Sequence, residues 1–441
     1  VSTTETICAL ATPSGNASVA IIRLSGPQSL SIAQQLTNKL LKPRYAHLAS
    51  FYDENNHVID QGIAIYFPAP HSFTGEDIVE FQPHGNPYVC QQIIDSLIQK
   101  GARHAIAGEF SERAFINGKL DLTQLEAIAD LISSGSQQAA RAAVQSMQGK
   151  FSQHVNELQQ QLIQIRTHIE ASLDFAEEDI ETETRAVVQT KLESLKQQLV
   201  KLFEQAQQGA QLQKGFTIVL TGAPNVGKSS LFNALCAEDR VIVTNIPGTT
   251  RDVVSVDLQF NGIAIRLLDT AGIRDNAEQV EQEGIARAQS AMQSADLIIE
   301  IFDSSVIATN YEFESPSKHK LLVVNKTDLL EKDILFPDHV ECISAKTGQG
   351  LEQLRQKIQH MLHIQPSEQQ APFSARARHL NALEHCLQQI ELAGEQLASA
   401  APLELAAEEL RLAQQILSEI TGEFTPDDLL DYVFREFCIG K

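Results

Sequence analysis

Lys228 stands in the segment Gly222-Ala-Pro-Asn225-Val226-Gly227-Lys228-Ser229-Ser230. Glycines at this spacing, ahead of a lysine and a hydroxyl, let successive backbone N–H groups curl around a phosphate. Lysine adds a point charge and the hydroxyl is a Mg²⁺ ligand. Short glycine motifs recur by chance, so one such loop is a modest signal. Here Asp269-Thr270-Ala271-Gly272, Asn325-Lys326-Thr327-Asp328 and Ser344-Ala345-Lys346 follow in order, each at the end of a predicted strand. The ordered set is that of a guanine-nucleotide site. Asp269 is placed to hold Mg²⁺ through a water. An ionised Asp328 only accepts hydrogen bonds, so it matches the paired N–H donors of guanine and is wrong for adenine.

Between the first two motifs runs Thr244-Asn245-Ile246-Pro247-Gly248-Thr249-Thr250-Arg-Asp. Thr250 is the natural switch threonine, bonding Mg²⁺ while the γ-phosphate is present and releasing it after hydrolysis. The residue after Gly272 is Ile273. Small signalling GTPases use a glutamine there to orient the attacking water, which isoleucine cannot do, so water activation must come from elsewhere. Asn225 and the threonine-rich segment supply oxygen ligands where a monovalent cation could replace an arginine finger. Asn225 is equally a turn residue that tolerates unusual backbone angles.

The positioning elements follow from pattern. Phe216–Thr221 reads as a buried strand into the loop and Lys228–Leu235 as the helix beyond it, so the positive helix end faces the phosphates. Val253–Phe260 and Ile263–Leu268, joined by Asn261-Gly262, predict a hairpin with a type I′ turn. At 441 residues the chain suggests about three domains. Four blocks emerge: an α+β domain over 1–118, a helical stretch over 119–213, a Ras-like P-loop nucleotide domain over 214–365, and helices again over 366–441. The first block predicts strands Val19–Leu24, Gly62–Phe67 and Asp77–Phe81 with helices Gln28–Leu41 and Val89–Lys100. Val155, Leu158, Leu162, Ile165 and Ile169 form one helical stripe, Leu192, Leu195, Leu199 and Leu202 a second, and Leu380, Leu383, Leu387 and Ile390 a third. Thr123-Gln-Leu-Glu126 resembles a capping box. The economical reading is a GTPase domain inserted into one helical bundle, making a multidomain α/β and α protein.

Composition sets limits. A 43% hydrophobic content supports real cores, and no run of ~18 apolar residues suggests a membrane span. The start, Val1-Ser-Thr-Thr-Glu, lacks the features of a signal peptide, and six scattered cysteines (Cys8, Cys90, Cys236, Cys342, Cys386, Cys438) predict a reducing cytoplasm without a zinc module. A net charge of −22 argues against indiscriminate nucleic-acid binding but not against a local patch for a structured RNA. The acidic run Glu177–Glu183 reads as a solvated helix junction rather than a metal site.

Further motifs carry a family resemblance across essentially the whole chain. They are Ala11-Thr-Pro13, Ile21-Ile-Arg-Leu-Ser-Gly26, Ser72-Phe-Thr-Gly-Glu-Asp77, Gly108-Glu-Phe-Ser-Glu-Arg-Ala-Phe-Ile-Asn-Gly-Lys119, and the terminal Phe437-Cys-Ile-Gly-Lys441. With the nucleotide motifs, they resemble the bacterial tRNA-modification GTPase family MnmE (TrmE). The resemblance implies an N-terminal domain similar to folate-binding aminomethyltransferases, a split helical domain and a Ras-like domain between its halves. It also implies a cytoplasmic homodimer joined through the N-terminal domain. With an FAD-containing partner, MnmG (GidA), such proteins add an aminomethyl-type or carboxymethylaminomethyl group to C5 of wobble uridine in certain tRNAs. The one-carbon unit comes from a tetrahydrofolate derivative of 5-formyl or methylene type, and GTP hydrolysis depends on K⁺.

By resemblance, folate falls to Arg23, Glu80, Lys119 and Lys441, with Cys438 near the chemistry. K⁺ falls to Asn225, Thr244, Ile246 and Thr249, Mg²⁺ to Ser229 and Thr250, and water orientation to Glu281. Read from the residues alone, Arg23 and Glu80 are also ordinary strand-end charges. Glu281 is likewise one of several helix-start acids, and Cys438 a buried structural thiol. The sequence departs from the family's habit at Ser14–Ser18, at Gln82-Pro-His-Gly-Asn86 and at Ala107. The alternative is a ribosome-assembly GTPase of the Era/Der type, which shares the phosphate loop but carries a KH-like or second GTPase domain.

Overall fold

The computed structural model describes residues 5–174, 178–238, 240–241, 254–260, 262–269, 291–306, 313, 317, 319–330, 336–362, 373–399, 401–423 and 440. The chain forms two compact units, one of Val1–Ala129, Met147–Gln197 and Ala382–Lys441, the other of Asp130–Ser146 and Gln198–Asn381.

The first unit opens with β1 (Ile7–Leu10), β2 (Ile22–Ser25), α1 (Ser29–Thr37), β3 (His47–Tyr52), β4 (Val58–Phe67), β5 (Ile78–Gln82), α2 (Pro87–Gln99), β6 (Arg103–His104), α3 (Glu109–Ile116) and α4 (Leu122–Ser133). The six strands form one sheet in the order β3-β4-β5-β2-β1-β6, antiparallel except where β1 meets β6. Strand alternation sends Cys8, Ile22, Leu24, Val79 and Phe81 to the face covered by Ile32, Leu36, Ile93 and Leu97 of α1 and α2. Their neighbours Arg23 and Glu80 therefore lie on the opposite face. The predicted strand at Val19 begins three residues later, because Ala20 bonds the carbonyl of Pro83 instead of a sheet partner. In the segment that departs from the family's habit, Asn86 caps α2, accepting from the N–H groups of Tyr88 and Val89, with Pro87 in the first turn.

Three of the sequence motifs meet in a buried polar knot. Glu109, Arg113 and Asn117 recur at four-residue spacing along α3 and its end. Glu109 accepts from Arg113 (2.9 Å), from both terminal nitrogens of Arg103 (2.8 and 2.6 Å) and from the Ile106 N–H. Arg113 reaches Glu76 at 3.0 Å and the Glu5 carbonyl at 2.9 Å, and Asn117 donates to the Thr74 carbonyl. Ser25 completes the knot, donating to Glu76 at 2.8 Å. Glu109 and Arg113 are fully buried, and each charge is compensated by the other together with Arg103 or Glu76.

The capping box at α4 is shifted from its expected frame. Asp121 accepts the Gln124 N–H and Gln124 accepts the Asp121 N–H, while Thr123 donates its hydroxyl to Asp121. Asp121 wins because a carboxylate caps the positive helix end better than a hydroxyl two residues on. Next come α5 (Gln137–Met147), α6 (Lys150–Asp174) and α7 (Glu178–Lys214). The stripes on α6 and α7 are buried at every predicted position. The acidic run lies outside the described side chains. Among the described residues, no cluster of three or more His, Cys, Asp or Glu could hold a metal.

The second unit carries β7 (Phe216–Gly222), α8 (Lys228–Glu238), β8 (Arg240–Val241), β9 (Val254–Phe260), β10 (Ile263–Asp269), β11 (Leu297–Asp303), β12 (Lys320–Asn325), β13 (Val340–Cys342) and α9 (Leu351–Met361). The sheet order is β13-β12-β11-β7-β10-β9-β8, with β9 antiparallel to both neighbours and the other pairs parallel. This is the Ras-like nucleotide-domain sheet that the motifs require. The predicted hairpin is present, Phe260 pairing with Ile263. At its tip Gly262, with φ +81°, accepts the Gln138 N–H at 3.0 Å and packs under the Gln138 side chain.

The last helices among the described residues are α10 (Ala377–Ala398) and α11 (Leu403–Thr421). The buried line of α10 runs through Leu383, Cys386, Ile390, Ala393 and Leu397, and Leu380 and Leu387 are only half-buried. The seam departs from the expected leucine line because Cys386 and Ala393 are small enough for close approach. In the first unit, α6 and α11 pack along their stripes, with Gln159 donating to Ser418 at 3.0 Å. No helix among the described residues is long and apolar enough to cross a membrane.

Burial pushes the Glu109 carboxyl up, but hydrogen bonds from Arg103, the Ile106 N–H and Arg113 outweigh it and hold the pKa below the ordinary value. A depressed folded pKa means the stabilisation is complete above the usual carboxylate range and is lost as pH falls through the folded value. Glu109→Gln is therefore expected to cost about 3–5 kcal/mol at neutral pH. It should also flatten the acid limb of stability measured by urea unfolding. Equal acid slopes in both proteins would count against this role.

Candidate nucleotide site and a second polar site on the N-terminal sheet

The nucleotide motifs gather at the C-terminal ends of parallel strands, where β7 lies between β10 and β11 and the strand order reverses. Gly222 ends β7 at φ +142°, and a Cβ there would meet the carbonyl of Ile301. The loop then turns through Asn225 at φ +64° and Gly227 at φ +96°. Asparagine is among the few side chains that accept that backbone region. Lys228, nearly buried, donates to the carbonyls of Gly222 (3.0 Å) and Ala223 (2.9 Å), so its ammonium is held over the loop. Ser229 and Ser230 are exposed in the first turn of α8.

Asn325 ties this loop to the base side. Its amide donates to the Val226 carbonyl at 3.0 Å and its oxygen accepts the Ala345 N–H at 3.0 Å. The Asn325 amide occupies the space a Cβ on Gly227 would need, which explains that glycine better than phosphate contact alone. Lys326, at φ +65°, extends its ammonium to the Asn225 carbonyl (2.7 Å) and to Asp303 (2.6 Å). Partial burial raises the Asp303 pKa, but hydrogen bonds from Lys326 and Ser305 overcome this and keep the carboxyl below its ordinary range.

Asp328 sits exposed in a short 3₁₀ turn, Thr327–Leu329. The buried Ser344 hydroxyl donates to Asp328 Oδ1 at 2.6 Å and accepts the Thr347 N–H. One carboxylate oxygen is thus oriented, and the pair can present the other to N–H donors of a ligand. Lys346 is exposed beside it. Asp269 ends β10 beside Leu220 of β7, and its side chain lies outside the described residues. Thr244, Asn245, Ile246, Pro247, Gly248, Thr249, Thr250, Thr270, Ala271, Gly272, Glu281, Cys438 and Lys441 also lie outside them.

On the N-terminal sheet, Arg23 and Glu80 are direct cross-strand partners. Arg23 Nε and Nη2 both reach Glu80 Oε1, at 3.0 and 2.9 Å, and each side chain is 18% exposed. The guanidinium lies over the rings of Phe73 (5.1 Å) and Phe110 (5.6 Å), two residues of the motifs that form the knot. Lys119 is exposed, with its aliphatic stem across Gly75. Of the C-terminal motif, Gly440 is described: it is buried, at φ +99°, with its Cα against the carbonyl of Leu10. Sequence reasoning missed the roles of Asp303, Phe73 and Phe110. The four-residue spacing of Glu109, Arg113 and Asn117 was the available sign of the knot that positions the two rings.

A family model described as the MnmE helical domain matches residues 122–438, and one described as the GTP-binding protein TrmE N-terminus matches residues 6–119. The tRNA modification GTPase MnmE of Saccharophagus degradans is 47% identical over 455 residues, spanning 100% of this chain and 99% of that protein. The protein of the same name from Hydrogenovibrio crunogenus is 46% identical, with coverage of 100% and 99%. Among solved structures, the G domain of the T. maritima FeoB iron transporter is 28% identical over 33% of this chain and 98% of its own, at a TM-score of 0.24. Aquifex aeolicus Era bound to GDP·AlF₄⁻ is 21% identical over 40% and 67%, at 0.25. Neither structural score is high enough to carry weight. Two family models that together run from residue 6 to residue 438, and near-full-length relatives at almost half identity, carry the assignment: the chain belongs to the MnmE family of tRNA modification GTPases.

Proposed function

We propose that this chain hydrolyses GTP in a K⁺-dependent manner and takes part in modifying C5 of the wobble uridine in tRNA, using a tetrahydrofolate one-carbon unit and a flavoprotein partner. The observation that carries the nucleotide half is the Asn325 bridge. A glycine-lined phosphate loop and a Ser344-oriented Asp328 are held in one rigid arrangement at a strand-order reversal. Lys228 would take the outer phosphates, and Ser229, Thr250 and Asp269 would hold Mg²⁺. Mg²⁺ there would neutralise charge on the phosphate oxygens. Asn225 with Thr244, Ile246 and Thr249 would ligate K⁺, and Glu281 would orient water in place of the missing glutamine.

The folate half rests on the N-terminal sheet. Glu80 has one oxygen taken by Arg23, and its other oxygen suits the paired N–H donors of a pterin. Two phenyl rings and a guanidinium offer a stacking wall. Gly440 docked against β1 supports a tail that brings Cys438 and Lys441 toward this sheet. Under this reading the domains are 1–118, 119–213, 214–365 and 366–441, the N-terminal domain pairs two copies, and the setting is the cytoplasm. The ribosome-assembly alternative is not favoured, since family matches to this chain cover the parts that Era-type proteins lack.

Asp328→Asn should lose preference for GTP and gain affinity for xanthosine nucleotides, because the swap turns an acceptor into a donor. Ser344→Ala should weaken GTP binding about tenfold, about the worth of a hydrogen bond to a charged group, without changing the preferred base. Nucleotide titrations decide both. GTP hydrolysis is expected to run faster in K⁺ than in Na⁺, and Asn225→Ala should remove that difference. Glu281→Ala should lower kcat and spare binding; equal rates in the two salts would remove the cation from the reading.

The whole function is tested by mass spectrometry of tRNA after incubation with GTP, a folate donor and the flavoprotein, with each omitted in turn. Modification without this chain, or none with all present, would defeat it. Cys438→Ser is expected to keep folding and hydrolysis yet lose modification.

A further inference from the structure

At the end of β11, Asp303 stands beside Asn325 in register. Its Oδ1 accepts both the N–H and the hydroxyl of Ser305, at 2.9 and 2.6 Å, which fixes the carboxylate plane. Its Oδ2 then takes the Lys326 ammonium at 2.6 Å, with the carboxylate 11% exposed. The same ammonium donates to the Asn225 carbonyl in the phosphate loop. Ser304 adds a second hold, donating its hydroxyl to the Lys326 carbonyl at 2.7 Å.

Lysine at positive φ is uncommon, and such a backbone is unfavourable unless the surroundings hold it. A free lysine side chain also samples many rotamers, and ordering it costs entropy. Both costs are met before any nucleotide arrives. The ion pair is set by Ser305, so the ammonium is aimed at the loop carbonyl rather than left to find it.

We propose that Asp303 is a positioning residue for nucleotide retention, acting through Lys326 to fix the Asn225 peptide of the phosphate loop. The inference rests on the guanine-nucleotide reading above and extends it to a residue outside the nucleotide motifs. Asp303 does not touch the nucleotide. It preorganises the cation that links the base-side turn to the loop, so it governs how long nucleotide stays rather than which base is chosen.

The test is the release rate of a fluorescent GDP from the full-length chain. Asp303→Asn should speed release about 10- to 100-fold, the range expected for losing a charge-assisted hydrogen bond. The GDP-to-XDP preference should stay at the wild-type value. Lys326→Met should speed release as well, and adding Asp303→Asn to it should bring less than a twofold further change. A merely structural role would instead multiply the two effects, and that result would overturn the proposal, as would release from Asp303→Asn within twofold of wild type. Should Asp303→Asn not fold, Ser305→Ala removes the orienting hydroxyl from an exposed site and keeps the backbone N–H. A several-fold faster release then supports the proposal and an unchanged rate overturns it. Wild-type protein that fails to bind GDP would defeat the nucleotide reading itself, a separate and visible outcome.

Discussion

The Asn325 side chain has one amide nitrogen and one amide oxygen, and both are hydrogen-bonded at a buried position. Through them the phosphate loop, the end of β12 and the segment after β13 share one fixed geometry. A buried carboxamide in this position cannot lose either partner cheaply, because the orphaned group would face a desolvation cost of about 1–3 kcal/mol. Gly227 exists in its positive-φ form against that amide, and Asp328 sits in the turn that follows directly on Asn325. The chemistry of phosphate and of base is therefore built around a residue with no charge.

The N-terminal sheet follows the same logic with charges in place of an amide. Glu109 and Arg113 are buried together, and Arg103, Glu76 and backbone groups take both Glu109 oxygens and the second terminal nitrogen of Arg113. Removing one member leaves a buried charge short of a partner, whereas the intact set holds the loop that carries Phe73 and the helix that carries Phe110. Arg23 lies over those two rings and against Glu80. The pair that faces outward is only as well aimed as the knot beneath it.

Local pattern carried much of this into the sequence. The phosphate loop, its flanking strand and helix, the Asn261-Gly262 hairpin and the stripes of α6 and α7 are periodic or turn-coded, and such signals act over a few residues. What was not legible depends on distance. Arg23 and Glu80 are 57 residues apart and become partners only through the register of β2 and β5. Asn325 reaches a loop 99 residues earlier. The cap of α4 was read two residues late, since Thr123 and Asp121 are both capping residues and only the hydrogen bonds separate them. The seam of α10 is not coded by leucines alone, because packing selects small residues as readily as large ones.

The Gly262–Gln138 hydrogen bond gives the β9–β10 ribbon a mechanical character. One end of the ribbon is clamped at α5, and the other ends at Asp269, beside the phosphate loop's own strand. Its two strands share a continuous antiparallel ladder from Ile263 to Asp269, so it resists bending much better than a single chain would. A stiff rod held at its far end does not absorb a push at the near end; it passes the push along. Any displacement imposed on Asp269 thus has a mechanical address more than a strand's length away, at the start of α5.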